Sequence, residues 1–413
     1  MGGLNLMSRR ILLLTFFYPP DLSAGSFRAS ALVRALQQAG TDVQIEVLTT
    51  QPNRYADHSF ETVSVEESPG LYVRRIHLPQ MRRGFIGQAV SFWRYVRKVQ
   101  RLTADNQYDL VVATSSRLMT AVLGAWVAYR KRARLYLDIR DIFVENLKVL
   151  FPALLAIPLG WVFGALERWA VGRAQRVNLV SQGFLGYFQL RYPSRRFSVF
   201  SNGVDEAFET FAVAEALSSR STGEPLKVLY AGNLGDGQGM HLILPALARQ
   251  LEGRVRFRVV GAGGRLTALR DALQGSGLDN VELLAPVARE QLLELYREAD
   301  VLFLHLNDFP AFKRVLPSKL FEYAATGKPI WAGVAGYAAD FIAREVHNAE
   351  VFAPCEVEGA VAALERLSLK VAPREDFVRC FSRRKIMQDM AHDVLGCMSG
   401  ESSVPEDSMK ENT

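Results

Sequence analysis

With 413 residues the chain is longer than one hydrophobic core usually organises, so two domains are expected. A composition of 49% hydrophobic and 22% charged residues, with 31 Gly and 17 Pro, excludes a disordered or fibrous protein. The net charge of +6 favours an anionic partner, but no recognised nucleic-acid motif accompanies it, which excludes nucleic acid and leaves phosphorylated substrates and anionic lipid.

Short β-branched runs alternate with helical patterns from the start, which predicts parallel α/β units. The first-half strands are expected at 11–17, 43–49, 71–78, 110–114, 135–139, 177–181 and 197–200. The apolar run after Arg9 and Arg10 is too short for a signal peptide and lacks a cleavage site. It reads as a buried strand. A helix is expected over Arg28–Ala39, stopped by Gly40. Before it, Tyr18-Pro19-Pro20 and Ala24-Gly25-Ser26 make a turn in which Gly25 offers free backbone to an anion or serves the turn alone.

The segment Gln80–Arg101 places Phe85, Ala89, Phe92, Val96 and Val99 on one side and basic residues on the other. It is either a solvated surface helix or one touching a membrane. Leu135–Asp141 ends an apolar strand in Asp138, Arg140 and Asp141, where open parallel sheets hold ligands. These residues can bind substrate hydroxyls, or form an ion pair capping the strand. Phe151–Val171 is interrupted by Pro152, Pro158, Glu167 and Arg168, so it does not span a bilayer. A buried helix and an interfacial helix anchored by Trp161, Phe163 and Trp169 both remain open. Asn202-Gly203 marks a turn.

Rhythm weakens over 206–225, the expected linker, and a second alternation follows with strands at 228–231, 257–260, 281–284, 301–305, 330–333 and 351–353. Two such halves imply a cleft suited to a small molecule. Gly232, Asn233 and Gln238 belong to a glycine-rich loop between strand and helix, a context for phosphate without a cation of its own. Gly261-Ala262-Gly263-Gly264 invites a dinucleotide reading, which the missing third glycine and the absent acidic residue at the end of the next strand oppose.

The densest constellation is Phe312–Gly327. Pro317 suits a first helical turn, and Ser318 and Lys319 lie where its free N–H groups point. Lys319 can neutralise a phosphate, and Glu322 can accept two hydrogen bonds from ribose hydroxyls; a surface helix with incidental charges is the alternative. His305 ends a strand and reads as a core or cleft residue. There is no nucleophile elbow, zincin motif, P-loop or Asp-x-Asp pair, so neither a hydrolase nor a metal requirement is expected. Cys355, Cys380 and Cys397 lack metal-site spacing and read as reduced thiols of a cytoplasmic protein.

FYPPDLSAGSFRASALVRAL, DIRDIFVENL, SNGVD, YAGNLGDGQGMHLIL, VVGAGG, ADVLFLHL and VLPSKLFEYAATGKPI, in this order, give the chain its resemblance to a family. It resembles the family 4 retaining glycosyltransferases of GT-B fold, and within them the bacterial O-antigen and capsule enzymes similar to L-fucosamine transferases. The resemblance implies an α/β fold of two Rossmann-like parallel-sheet domains facing across a cleft. The acceptor domain would span 1–205 and the nucleotide-sugar domain 226–375, with a helix at 376–398 crossing back; the polar composition of 399–413 reads as a disordered tail.

It further implies a nucleoside-diphosphate sugar as co-substrate, a UDP-sugar being expected, with no cofactor or metal. The acceptor would be a polyprenyl-diphosphate-linked saccharide at the inner face of the cytoplasmic membrane. Glu322 would bind ribose and the backbone at Ser318 and Lys319 the diphosphate; Gly25 would lie close to donor and acceptor, and Asp138 to Asp141 would face the sugar or acceptor. Asp138, Asp141 and Lys319 are the expected catalytic residues. Donor contacts are expected from Gly25, Gly232, Asn233, Gln238, Gly261, Lys313, Arg314, Pro317, Ser318, Lys319 and Glu322, and acceptor contacts from Arg140 and Asp141.

Two departures from the family stand out. Asn233 and Gln238 occupy places where much of the family has Arg and Lys, and Arg314 stands eight residues before Glu322 where a second Glu is common. Lys313, Arg314 and Lys319 are expected to supply the missing cations. Two rivals remain open: a dinucleotide-dependent nucleotide-sugar enzyme and a catalytically silent GT-B scaffold.

Overall fold

The computed structural model describes residues 9–21, 23–40, 42–52, 63–78, 85–115, 117–145, 153–209, 211 and 223–399. The start of the basic segment at 80–84, positions 151–152, most of the expected linker and the tail beyond 399 lie outside the described residues. The chain forms two compact units, one of Met1–Asn202 with Arg384–Thr413 and one of Gly203–Arg383.

The first unit runs β1 (Arg9–Leu14), α1 (Ala24–Ala39), β2 (Val43–Thr50), β3 (Val65–Ser68), β4 (Leu71–Ile76), α2 (Phe85–Leu102), β5 (Leu110–Ser115), α3 (Leu118–Lys131), β6 (Arg134–Ile139), α4 (Ala153–Arg173), β7 (Arg176–Leu179), α5 (Leu185–Arg191) and β8 (Phe197–Val199). Its sheet has the order β3-β4-β2-β1-β5-β6-β7-β8, parallel except for the β3–β4 pair. Ile11–Leu14 and Leu110–Ala113 are fully buried, as strands covered by helices on both faces must be. Order reverses between β1 and β5, which places the ligand crevice of such a sheet at their carboxyl ends.

The second unit runs α6 (Glu206–Glu209), β9 (Leu226–Ala231), α7 (Met240–Gln250), β10 (Val255–Val260), α8 (Leu266–Gln274), β11 (Val281–Leu284), α9 (Arg289–Glu298), β12 (Val301–His305), α10 (Ser318–Ala325), β13 (Ile330–Gly333), α11 (Tyr337–Glu345), β14 (Ala349–Phe352), α12 (Val357–Arg366) and α13 (Glu375–Cys380). Its strands are all parallel in the order β11-β10-β9-β12-β13-β14, with the reversal between β9 and β12. The last helix, α14 (Arg383–Ser399), lies in the first unit from Arg384 onward. Met387, Met390, Ala391 and Val394 enter the same core as Ile11, Leu32, Leu36 and Tyr136.

Several elements differ from expectation for local reasons. The first strand ends at Leu14 rather than 17. Helix α1 starts at Ala24 because the Ser23 hydroxyl accepts the Ser26 N–H at 3.2 Å, so Gly25 sits inside the first turn. Strand β3 has no signal in the sequence because all four residues are exposed at a sheet edge and carry no apolar alternation. The expected linker 206–225 begins as packed structure: Phe208 and Phe211 are buried in the second unit's core. The expected terminal helix is two, separated at Phe381 and Ser382. Among the described residues of α2, Phe92, Tyr95 and Val99 are buried, while Ala89 is exposed. The Tyr95 hydroxyl hydrogen-bonds the carbonyls of Thr15 and Leu48, which satisfies a polar tip in the core.

Candidate functional site

In the second unit the turn after β9 is built by hydrogen bonds within it and by the ends of neighbouring strands. The Asn233 side-chain amide donates to Gln238 Oε1 at 2.7 Å, and the Gly235 N–H reaches the same oxygen at 3.2 Å. Asn233 and Gln238 are therefore paired with each other as neutral amides. Gly261 and Gly263 have a packing role: a Cβ on Gly261 would collide with the Gly232 carbonyl, and one on Gly263 with the Leu234 backbone. Two loops at the carboxyl ends of β9 and β10 thus stack backbone to backbone, which explains the glycines without a dinucleotide.

The end of β12 holds this turn in place. His305 is 1% exposed, its Nε2 accepting the backbone N–H of Cys355 at 3.0 Å. Nε2 must therefore be unprotonated, so Nδ1 carries the hydrogen and donates it to the Gln238 carbonyl at 2.6 Å. Burial pushes the imidazole down to about 4 and keeps it neutral. Asn307 adds two bonds of 2.9 Å, from its N–H to the Gly237 carbonyl and from its side-chain amide to the Asp236 carbonyl. The Phe312 ring lies against Gly237, where a Cβ would stand 2.7 Å from Cζ. The sequence marks His305 only as a core or cleft residue, because its hydrogen bonds to positions 67 and 50 residues away have no local signature.

Beside this turn, Pro317 caps α10 with extended φ/ψ of −65° and 130°, one position earlier than a first-turn proline. The helix starts at Ser318 with no acidic residue in its first turn and no side-chain cap, a helix end of the kind that suits an anion. Lys319 and Glu322 are paired: Nζ lies 2.7 Å from Oε2, and the Tyr296 hydroxyl donates to the same oxygen at 3.2 Å. Burial and the adjacent carboxylate push the Tyr296 phenol well above its ordinary range, so it stays a donor. Lys313 pairs with Asp308 at 3.6 Å, and its backbone packs so closely on Gly336 that a Cβ there would overlap it. Gly336 also has a φ of 63°, which a glycine adopts without strain. Arg314 closes the same short 3-10 turn, Pro310–Arg314.

In the first unit, Arg140 and Asp141 follow β6 at its carboxyl end, and Gly25 meets Arg140 directly: a Cβ on Gly25 would overlap the guanidinium. Asp138 is a correction. It is 1% exposed, with its oxygens taken by Arg28 at 2.9 and 3.0 Å and by the Asn178 amide at 2.7 Å, so it holds the scaffold and does not face a substrate. Burial works to raise its carboxyl, but the Arg28 guanidinium and further hydrogen bonds outweigh this and hold it below the usual range. Arg28 also donates to the Phe200 and Ser201 carbonyls. Sequence reading missed Arg28, since its partner lies 110 residues away.

Residues 25–203 match the glycosyl transferase 4-like domain and residues 216–379 match glycosyl transferases group 1. The chain is 27% identical over 180 residues to a putative colanic acid biosynthesis glycosyl transferase, WcaI, of Escherichia coli (strain K12); the match spans 41% of this chain and 43% of that protein. Among solved structures, it is similar to a sucrose-phosphate synthase from Thermosynechococcus elongatus, with a TM-score of 0.72 and 16% identity over 95% of this chain and 100% of that one. It is also similar to Anabaena Alr3699/HepE in complex with UDP-glucose, with a TM-score of 0.63 and 18% identity over 95% and 100%. A third is WaaG, a glycosyltransferase involved in lipopolysaccharide biosynthesis, with a TM-score of 0.54 and 14% identity over 98% and 99%. These structural likenesses show the fold.

Proposed function

The chain belongs to the family 4 glycosyltransferases of GT-B fold, and on that premise we propose that it moves a sugar from a UDP donor to a lipid-linked saccharide in bacterial surface polysaccharide synthesis. The sugar is N-acetylated in this reading, the anomeric configuration is retained, and no metal takes part. HepE, a fold relative, is seen with UDP-glucose, and the partial relative WcaI is a putative colanic acid biosynthesis glycosyl transferase, which supports the donor class and the pathway class.

The observation that carries the reading is the start of α10. A helix N-terminus without a side-chain cap, the Lys319 ammonium and the Glu322 carboxylate lie within one turn of helix, beside a loop tied down by His305 and Asn307. The N–H groups of Ser318 and Lys319 suit a diphosphate, Lys319 its developing charge on departure, and Glu322 a ribose. Lys313 and Arg314 would add positive charge where Asn233 and Gln238 bring none, and Gly232 and Gly261 would let backbone approach the donor. Pro317 sets where the helix starts. Arg140 and Asp141 would serve the acceptor.

Membrane contact is supported by α4, whose residues Leu154, Ile157 and Trp161 are 89%, 65% and 80% exposed along one face. Among the described residues no helix is long and apolar enough to cross a membrane. Helix α2 adds exposed Arg94, Arg97 and Lys98, with Arg97 stacked 4.7 Å over the exposed Trp93.

Turnover of a panel of UDP-sugars, followed by released UDP with a polyprenyl-diphosphate-linked acceptor and with EDTA added, tests this. Transfer unaffected by EDTA, with an anomerically retained product, supports it. Donor binding without transfer or hydrolysis would favour a scaffold role instead, to which the neutral Asn233–Gln238 pair lends weight.

A further inference from the structure

At the amino ends of the strands in the first unit, the edge of the sheet away from Arg140 and Asp141, lies a concavity of about 800 Å³. It opens between the carboxyl ends of α3 and α4 and the start of β6. Arg130, Arg132, Arg173 and Arg195 line it, and no acidic residue does. None of the four has a carboxylate partner among the described residues. Arg130 and Arg173 lie over the rings of Trp126 and Tyr129, at 5.8 and 4.2 Å, and Arg195 reaches the Ala174 carbonyl at 3.4 Å.

Cations at helix carboxyl ends are ordinary, because each end carries roughly half a negative charge. Two helix ends therefore account for about one of the four positive charges. The surplus of about three sits in one concave surface, with exposed Tyr129 and the small residues Ala125, Ala128 and Gly172 leaving room beside it. A Cβ on Gly172 would meet nothing within 4 Å. Guanidinium groups lining one concave surface suit phosphate oxygens, and the alanines and Tyr129 beside them suit an organic body attached to those oxygens.

We propose that this pocket binds an organic phosphate, a phosphate or diphosphate ester, at a site separate from that of the sugar donor. The ester is either an anionic lipid headgroup or a soluble phosphorylated metabolite.

Inorganic pyrophosphate titrated calorimetrically, and cosedimentation with phosphatidylglycerol–phosphatidylcholine vesicles, test it on the full chain. In R132Q/R195Q, pyrophosphate binding at this site should weaken at least about tenfold, as loss of charge-assisted hydrogen bonds would give, while UDP-sugar binding stays as in the parent. E322A should do the reverse, so failure here and failure of the donor reading are distinguishable. R130Q/R173Q is the second variant should the first not fold. If vesicle binding also falls in the arginine variants, the ligand is a lipid headgroup; if it does not, a soluble phosphate ester. Pyrophosphate binding equal in the parent and both arginine variants, or none in the parent, overturns the proposal.

Discussion

His305 donates from Nδ1 to the main-chain carbonyl of Gln238 at 2.6 Å, which ties the end of β12 to the turn after β9. With Nε2 filled by the Cys355 amide at 3.0 Å, one neutral buried ring sets the positions of two loops. His305→Leu keeps the bulk and loses both bonds. Donor affinity is expected to fall at least about tenfold, since two buried polar groups lose their partner; His305→Asn should recover part of it through a donor to Gln238. Equal donor dissociation constants for parent and His305→Leu would contradict this.

The same ring makes stability depend on pH. Its folded value of about 4 lies below the ordinary 6.5, so between these limits the unfolded chain binds a proton the folded chain does not. Stability is therefore full above pH 6.5 and declines as pH falls toward 4, by an amount on the order of 3 kcal/mol for this group. Denaturant midpoints across that range should fall less steeply with acid in His305→Asn than in the parent.

Lys319 is partly exposed, so removing it should leave the fold intact. If its ammonium stabilises the departing diphosphate, Lys319→Ala lowers turnover by about a hundredfold, or roughly 3 kcal/mol in the barrier. Glu322→Ala should instead weaken donor binding. Steady-state kinetics together with a binding titration separates the two effects, and unchanged turnover in Lys319→Ala removes its assigned role.

Gly25→Ala puts a methyl where the Arg140 guanidinium lies. The colliding atoms are the end of a flexible side chain, and alanine favours a helix over glycine by about 0.5–1 kcal/mol, so the melting temperature should hold or rise. Arg140 has to move. An acceptor KM raised at least about tenfold in a well-folded variant would tie Arg140 to the acceptor; wild-type kinetics would sever that link.

Asp138→Ala leaves the buried Arg28 without its carboxylate. Breaking such a pair costs about 3–5 kcal/mol, so the loss should appear as a lowered melting temperature. Arg28→Met with Asp138→Leu removes both charges and should be less destabilised than Asp138→Ala alone. An Asp138→Ala protein of normal stability but without turnover would restore Asp138 as a catalytic group.

Alternating apolar runs with glycine and proline punctuation made the two parallel sheets legible from sequence, since strand burial and helix caps are written within a few residues. The helix start at Ser318 was legible for the same reason, since a proline and the turn after it are local, whereas the Lys319–Glu322 ion pair came only with the structure. Tertiary structure alone decided that Asp138 belongs to Arg28, that His305 holds Gln238, and that α14 completes the core of the first unit. A buried polar group takes whichever partner the strand order brings within about 3 Å, and strand order joins residues that are far apart in the chain. Four arginines sharing one concavity are likewise a product of where two helices end.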